Sequence, residues 1–285
     1  MANLKDIRNR IKSVKSIQPV TQAMKMVAAA KMRRAQENME QARPYSSRVM
    51  ELIQSLLPDV DRSLLSELEV RDIKRVLFVV ITADRGMAGA FNTNVLKVAQ
   101  NKIDKFSVEN IDIVCIGKKS SAYFKNKEYN VIGNYIDFWN ELDYNFVMTL
   151  GLQLVGHYTD NKVDAVECIY NKFINVAKQE VISDQLLPLT IEEETENINV
   201  EDKLYEPSKE AVISTLVPKF LNTQIWQYLL ESFASEQAAR MLAMENATTN
   251  AQDMIKDLTL QFNKARQTAI TTEMLEIVSG AEALN

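Results

Sequence analysis

The chain has 285 residues, of which 46% are hydrophobic and 25% are charged, so it can bury a core and is not disordered throughout. Its net charge of −5 indicates no overall affinity for nucleic acid. No apolar stretch approaches the roughly 20 residues that span a bilayer, and no apolar signal core follows Met1. We therefore expect a soluble protein that reaches a membrane only through partners.

The first segment, residues 4–57, has the pattern of a helix. Its apolar side chains recur at steps of three and four, which place them along one stripe. The stripe runs through Leu4, Ile7, Ile11, Val14, Ile17, Val20, Met24 and Val27. Pro19 removes one backbone hydrogen bond, so we expect a bend near Gln18 within a single helix. Eleven basic and three acidic side chains among residues 1–48 predict an acidic partner, with a solvated helix face as the alternative.

The middle segment, residues 74–190, changes to a pattern of strands that alternate with helices. Such alternation predicts a parallel sheet with right-handed crossovers. Continuous apolar or β-branched runs predict strands at residues 76–81, 111–116, 163–170 and 181–189. Helical stretches are predicted at residues 94–106, 120–126 and 142–158. The acidic residues 192–202 are predicted to form a surface loop.

The last segment contains 60 consecutive residues, 219–278, without glycine or proline. One helix of that length reaches roughly 90 Å, several times the diameter of a small domain. Gly280 is predicted to end this helix. A coiled-coil spacing of three and four is predicted through Leu230, Ala234, Gln237, Met241, Met244, Thr248, Ala251, Ile255, Leu258, Phe262, Ala265, Ala269 and Thr272. Two long terminal helices predict an antiparallel pair, in which the tip of the longer helix lacks a mate and needs a surrounding partner.

Few residues suggest chemistry. The turn at residues 82–90 follows the first strand and could hold a phosphate, but it matches neither the dinucleotide fingerprint nor the P-loop. The alternative is a tight turn in which Gly86 and Gly89 allow close packing. His157 is the only histidine, and Cys115 and Cys168 lie in apolar runs typical of a reduced core. We predict no catalytic, cofactor-binding or metal-binding residues.

Several blocks nevertheless occur in an order that we associate with one family. They are KDIR (5–8), AMKMVAA (23–29), DRG with a later glycine (84–86 and Gly89), NKFI (171–174), LYEP (204–207), ASEQAARM (234–241), NKARQ (263–267) and EIVSG (276–280). Through these blocks the sequence resembles the gamma subunits of bacterial F-type ATP synthases along nearly its whole length. Pro19 departs from the family pattern.

The resemblance implies an α/β fold in which a long antiparallel coiled coil of the N- and C-terminal helices accompanies a Rossmann-like α/β domain. The expected boundaries are 1–57, 74–190 and 208–285. It further implies a central-stalk rotor that couples rotation of the membrane c ring to the catalytic cycle of the beta subunits. The expected partners are the alpha3beta3 hexamer, the epsilon subunit and the c ring, at the cytoplasmic face of the bacterial plasma membrane.

The family's contact residues carry over only where the motifs match. The resemblance implies contact with the beta subunits at Met24, Lys25, Arg240, Arg266, Gln267, Thr271 and Glu273. It implies contact with the c ring at Tyr205 and Glu206.

Two other functional hypotheses remain open at this point. A Rossmann-type enzyme with a helical oligomerisation arm would bind a nucleotide saturably. A static scaffold would bind its partners tightly, without any effect of its orientation on their catalysis.

Overall fold

The computed structural model describes residues 4–61, 65–139, 142–190 and 205–282, so the loop predicted at residues 192–202 lies outside the described residues. Short 3-10 helices occupy Leu57–Asp59, Ser66–Leu68 and Val108–Asn110. The other elements are α1 (Leu4–Leu56), β1 (Val76–Ile81), α2 (Phe91–Ile103), β2 (Ile111–Ile116), α3 (Lys118–Phe124), β3 (Asn130–Tyr135), α4 (Tyr144–Thr159), β4 (Ala165–Phe173), β5 (Gln179–Leu187) and α5 (Lys209–Glu282).

The described strands form one sheet in the order β3-β2-β1-β4-β5. The predicted parallel arrangement holds for β1 to β4, but β5 pairs antiparallel with β4, so the sheet is mixed. Strand β3 was not predicted from the sequence. This strand lies at the edge of the sheet, has no buried residue and contains Gly133, so it lacks the continuous apolar run that marks a covered strand.

Both faces of the sheet are covered. All six residues of β1 are buried, and successive side chains point to opposite faces. On one face, Leu77, Val79 and Ile81 join a core with α4 and the nearby parts of α1 and α5. On the other face, Val76, Phe78 and Val80 pack with α2 and α3. Each such buried side chain stabilises the fold by roughly 1.5–3 kcal/mol, which explains why the apolar runs became central strands.

The chain divides after Ala28 and again before Arg240. The two terminal parts form one compact unit, called here the terminal unit, and Ala29–Ala239 form the other.

The terminal unit is an antiparallel pair of helical segments. Thr21 and Thr248 join their hydroxyl oxygens at 2.8 Å, and Lys25 Nζ lies 2.7 Å from Glu245 Oε1. As the number rises on α1 it falls on α5, which defines the antiparallel direction and confirms the predicted pairing. Apolar contacts extend it toward the start of α1 through Ile7, Ile11, Val14, Ala251, Ile255, Leu258, Phe262 and Ala265.

The contact stripe of α1 differs from the predicted one. Ile17, Val20 and Val27 are 51–56% exposed, whereas Thr21 and Ala28 are buried. The buried positions 7, 14, 21 and 28 are spaced by seven, because two paired helices keep a seam of period 3.5 and not the drifting period of an isolated helix. The helix continues through Pro19 as one element, as predicted.

The seam of α5 agrees more closely with its prediction. Met244, Ala251 and Leu258 are buried, again at a spacing of seven. Thr272, however, is exposed, and the apolar cluster between the described parts of the two helices extends only to Phe262 and Ala265. The predicted stop at Gly280 is also wrong, since α5 continues to Glu282. A glycine ends a helix only where it adopts a positive φ, and Gly280 does not.

Candidate functional site

The first group of predicted contact residues lies on the paired part of the terminal unit. Met24 is half-buried, and Arg240 is buried with 8% of its surface exposed. Lys25 makes the ion pair with Glu245 across the two helices, where 30% and 49% of the two side chains remain exposed. An ion pair this open to water contributes less than about 1 kcal/mol, so Lys25 retains its capacity to meet an acidic partner.

The second group lies on the tip, the part of α5 from Arg266 to its end at Glu282. Arg266, Gln267, Thr271 and Glu273 are all exposed. With a rise of 1.5 Å per residue, Arg266 lies about 39 Å along the helix from Arg240. The predicted contact residues therefore form two separate patches and not one compact site.

Threonine hydroxyls on the tip bond to their own helix. The hydroxyls of Thr268, Thr271 and Thr272 each donate to the carbonyl four residues earlier, at 2.9–3.1 Å. This internal bonding satisfies the donors without a partner. The tip therefore presents fewer unsatisfied hydrogen-bond donors than its sequence suggests.

An apolar stripe accompanies these threonines on the tip. Ile270, Met274, Ile277 and Val278 are 49–72% exposed, and their spacing of four, three and one places them on one side of the helix. Contiguous exposed apolar side chains of this kind mark a surface that another chain covers. Among the described residues, this stripe is left exposed, as expected of a tip without a mate.

The two residues predicted to meet the c ring precede α5. Tyr205 is half-buried and packs against the core on the α4 side of the sheet, and Lys209 Nζ lies 5.8 Å from the centre of its ring. Glu206, the next residue, is exposed. The Tyr205 ring is thus held against the core, whereas the Glu206 carboxylate faces solvent.

The turn after β1 uses its polar groups inside the protein. The Asp84 carboxylate accepts hydrogen bonds from the backbone N–H of Lys118 at 2.9 Å and of Asp137 at 3.0 Å. These bonds link the ends of β1, β2 and β3. They also hold the Asp84 carboxylate in the turn, where it would repel a phosphate. This geometry favours the tight-turn interpretation over phosphate binding.

The predicted reason for the two glycines of this turn is wrong. A Cβ at Gly86 or Gly89 would meet no atom within 4 Å, so neither allows close packing. Gly89 instead adopts a φ of +56°, which favours glycine. The close approach occurs at Gly117, where a Cβ would lie 2.1 Å from the Thr82 carbonyl oxygen.

The cysteines do not form a reactive site. Both side chains are buried, and burial raises the pKa of the Cys115 thiol to about 12 and also raises that of Cys168. A thiol that stays protonated at neutral pH is a poor nucleophile. Burial is also the main reason that the pKa of Glu231 is raised.

Two contacts between the helices of the terminal unit were not predicted from the sequence. Glu245 was not singled out, although it is the ion-pair mate of Lys25. Thr21 was not included in the predicted contact stripe, which contained the apolar residues Ile17 and Val20. A strict spacing of seven from Ile7 and Val14 is the signal that could have found it.

Comparisons with known proteins show the family of the chain. A family model described as ATP synthase matches residues 3–284. The ATP synthase gamma chain of Prosthecochloris aestuarii is 48% identical, over all of this chain and 99% of its own length. That of Chloroherpeton thalassium is 44% identical with the same coverage. The chain therefore belongs to the ATP synthase gamma-chain family.

Solved structures support the fold. A chain of the Euglena gracilis mitochondrial ATP synthase, in a structure of OSCP, F1 and the c ring, is similar with a TM-score of 0.69 and 20% identity over 99% of this chain and 94% of its own. A central-stalk and c-ring structure from Tetrahymena thermophila gives 0.61 and 24% identity over 80% of this chain and 99% of its own. Among the described helices, none has an apolar stretch long enough to cross a membrane.

Proposed function

We propose that the chain is the central-stalk rotor of a proton-translocating F-type ATP synthase. In this role it couples rotation of the membrane c ring to the conformational cycling of the catalytic beta subunits. It performs no catalysis of its own and binds no cofactor. Its partners are the alpha3beta3 hexamer, the epsilon subunit and the c ring, which hold it at the cytoplasmic face of the bacterial plasma membrane.

The observation that carries this proposal is the tip. Within the terminal unit, the 17 residues of α5 from Arg266 to Glu282 lie beyond the apolar cluster that α5 forms with the described part of α1, and they present an apolar stripe to solvent. Exposed apolar side chains that adjoin one another favour a partner that covers them. A ring of other subunits around the terminal unit meets this need, and the gamma-chain relatives favour the same assignment.

We assign separate roles to the predicted contact residues. Met24, Lys25 and Arg240 meet the beta subunits on the paired helices, and Arg266, Gln267, Thr271 and Glu273 meet them at the tip. Exposed cations on the first segment support an acidic partner there, since Arg10, Lys12 and Lys15 pair with no carboxylate among the described residues. Tyr205 and Glu206 meet the c ring, where an exposed carboxylate next to an anchored ring suits a polar loop.

Reconstitution with alpha and beta subunits tests the proposal. One copy of the chain per hexamer is expected to activate ATP turnover. Equal turnover without the chain, or uptake of three copies, would refute the rotor assignment.

A double variant tests the role of the tip. Arg266→Ala with Gln267→Ala is expected to lower ATP synthesis in the reconstituted complex, while the free chain keeps its unfolding temperature, because both side chains are exposed. The control is Gln252→Ala with Lys256→Ala, which removes an exposed amide and an exposed cation from the paired part of α5. Unchanged synthesis and assembly in the tip variant would count against these contacts.

A further inference from the structure

A small cavity of about 20 Å³ lies between α1 and α5 within the unit formed by Ala29–Ala239. The lining positions are 39, 42, 43 and 46 on α1 and 223, 227, 230 and 231 on α5. Steps of one, three and four place each set on one side of its helix. The polar side chains among them are those of Arg43, Ser46, Thr223, Gln227 and Glu231. The two helices therefore border a polar space beside the apolar core that they share.

One carboxylate at this cavity has an oxygen that lacks a donor. Glu231 has only 6% of its surface exposed. Its Oε1 accepts from Gln227 Nε2 at 3.0 Å, whereas its Oε2 is buried and accepts from no donor among the described residues. A buried charged oxygen without a donor costs free energy, and an occupant of the cavity that donates to Oε2 would remove that cost.

Two cations face this carboxylate. Arg43 lines the same cavity from α1, and Lys172 lies on β4. Their positive charges, partly offset by Asp184, oppose the burial that raises the pKa of Glu231. Both cations are exposed, and neither forms an ion pair with any residue in the described parts of the chain. Arg43 and Glu231 thus border one small cavity with opposite charges and no direct bond between them.

Two hydroxyl groups supply further hydrogen-bonding capacity. Thr223 donates its hydroxyl to the Lys219 carbonyl at 2.8 Å, so its oxygen can still accept from another donor. The half-buried side chain of Ser46 makes no hydrogen bond with the residues that the structure describes, so it can donate or accept. A buried water typically makes about three hydrogen bonds, which this set of side chains can provide.

Size and charge together select the occupant. A water molecule needs a cavity of roughly 10–15 Å³, so this cavity has room for one water and for no larger ligand. Arg43 and Lys172 would repel a metal cation, and Glu231 would repel an anion. We propose that the cavity binds one ordered water, which donates to Glu231 Oε2, accepts from the Arg43 guanidinium and so joins α1 to α5.

A crystal structure of the full chain, at a resolution that shows ordered waters, tests the site directly. One water is expected about 2.5–3.2 Å from both Glu231 Oε2 and a guanidinium nitrogen of Arg43. Crystals prepared with rubidium in place of sodium and potassium distinguish a bound cation from water, because rubidium scatters anomalously. No anomalous signal is expected in the cavity.

A double-mutant cycle measures the link between the two helices. Arg43→Met and Glu231→Met each keep an unbranched stem and remove the polar end. In urea denaturation, the equilibrium constant for unfolding is expected to show a coupling of at least about threefold between the two changes. Arg48→Met is the control partner for Glu231→Met, because Arg48 lies on α1 outside the cavity and pairs with Glu51. Its coupling is expected to stay below about twofold.

A third substitution separates a water bridge from a direct effect of the charges. Ser46→Leu introduces an apolar side chain at the cavity, where it takes the space of the water. In this background, the coupling between Arg43→Met and Glu231→Met is expected to fall at least about twofold. If Ser46→Leu does not fold, the crystal structure decides.

Four results would overturn the proposal. They are a cavity without water density that contacts both side chains, a rubidium signal in the cavity, a coupling below about threefold, and a coupling that Ser46→Leu leaves undiminished. None of them bears on the rotor assignment, which the reconstitution tests independently.

Discussion

Leu258 offers a quantitative test of the helix pair in the terminal unit. It lies in the seam with 7% of its surface exposed, whereas Leu260, two residues later on the same helix, is 69% exposed. Leu→Ala substitutions in protein cores cost about 2–5 kcal/mol through lost burial and the remaining cavity. A seam between only two helices is flanked by water and can relax, so we expect Leu258→Ala to cost about 2 kcal/mol.

Hydrogen exchange of the full chain measures this loss locally. A cost of about 2 kcal/mol corresponds to about a 30-fold loss of amide protection along the paired part of α5. Leu260→Ala makes the same change in helix propensity without changing the seam, and we expect less than about a twofold effect. Equal losses for the two variants, or a loss below about threefold for Leu258→Ala, would refute the observed pairing.

Three further predictions concern single groups. Lys25→Gln is expected to lower the free energy of unfolding by less than about 1 kcal/mol, as urea denaturation can measure, because its ion pair with Glu245 is partly exposed. Gly117→Ala is expected to cost at least about 3 kcal/mol, because φ is +93° and the new Cβ would overlap a backbone oxygen, whereas Gly86→Ala is expected to stay within about 0.5 kcal/mol. A comparable unfolding temperature for these two glycine variants would contradict the geometry of the turn. Burial raises the pKa of Cys115 to about 12, so the folded state is favoured while this thiol is protonated; its contribution is complete below the ordinary thiol pKa near 8.5 and is lost as the pH rises toward 12. Thermal unfolding across this pH range should therefore show a shallower decline for Cys115→Ala than for the unaltered chain, and identical slopes would contradict the prediction.

The long helices and central strands could be predicted because each reflects one dominant physical signal. The apolar run at Val76–Ile81 is buried on both faces of a sheet, and the glycine-free segment 219–278 lies within one helix. Edge strand β3 could not be found in this way, because its exposed side removes the periodic signal. The antiparallel direction of β5 depends on its pairing with β4, which no local pattern records.

The contact seam of α1 could be predicted only in part from the sequence. Steps of three and four fit several neighbouring stripes, and hydrophobicity alone favoured Ile17 and Val20 over Thr21. The paired helix decides between them, since the Thr21 hydroxyl lies 2.8 Å from that of Thr248 on α5. The contact residues were named from family resemblance, and composition or spacing by itself would have selected none of them.

The self-bonded threonines of the tip have a mechanical consequence under the proposed function. A neighbouring subunit that slides past Thr268, Thr271 and Thr272 meets methyl groups and hydroxyls whose donors are already engaged. A typical protein hydrogen bond contributes about 1 kcal/mol, so a surface that forms few of them with its surroundings presents only shallow energy wells along its path. Rotation of the shaft would then meet only small energy barriers between successive orientations.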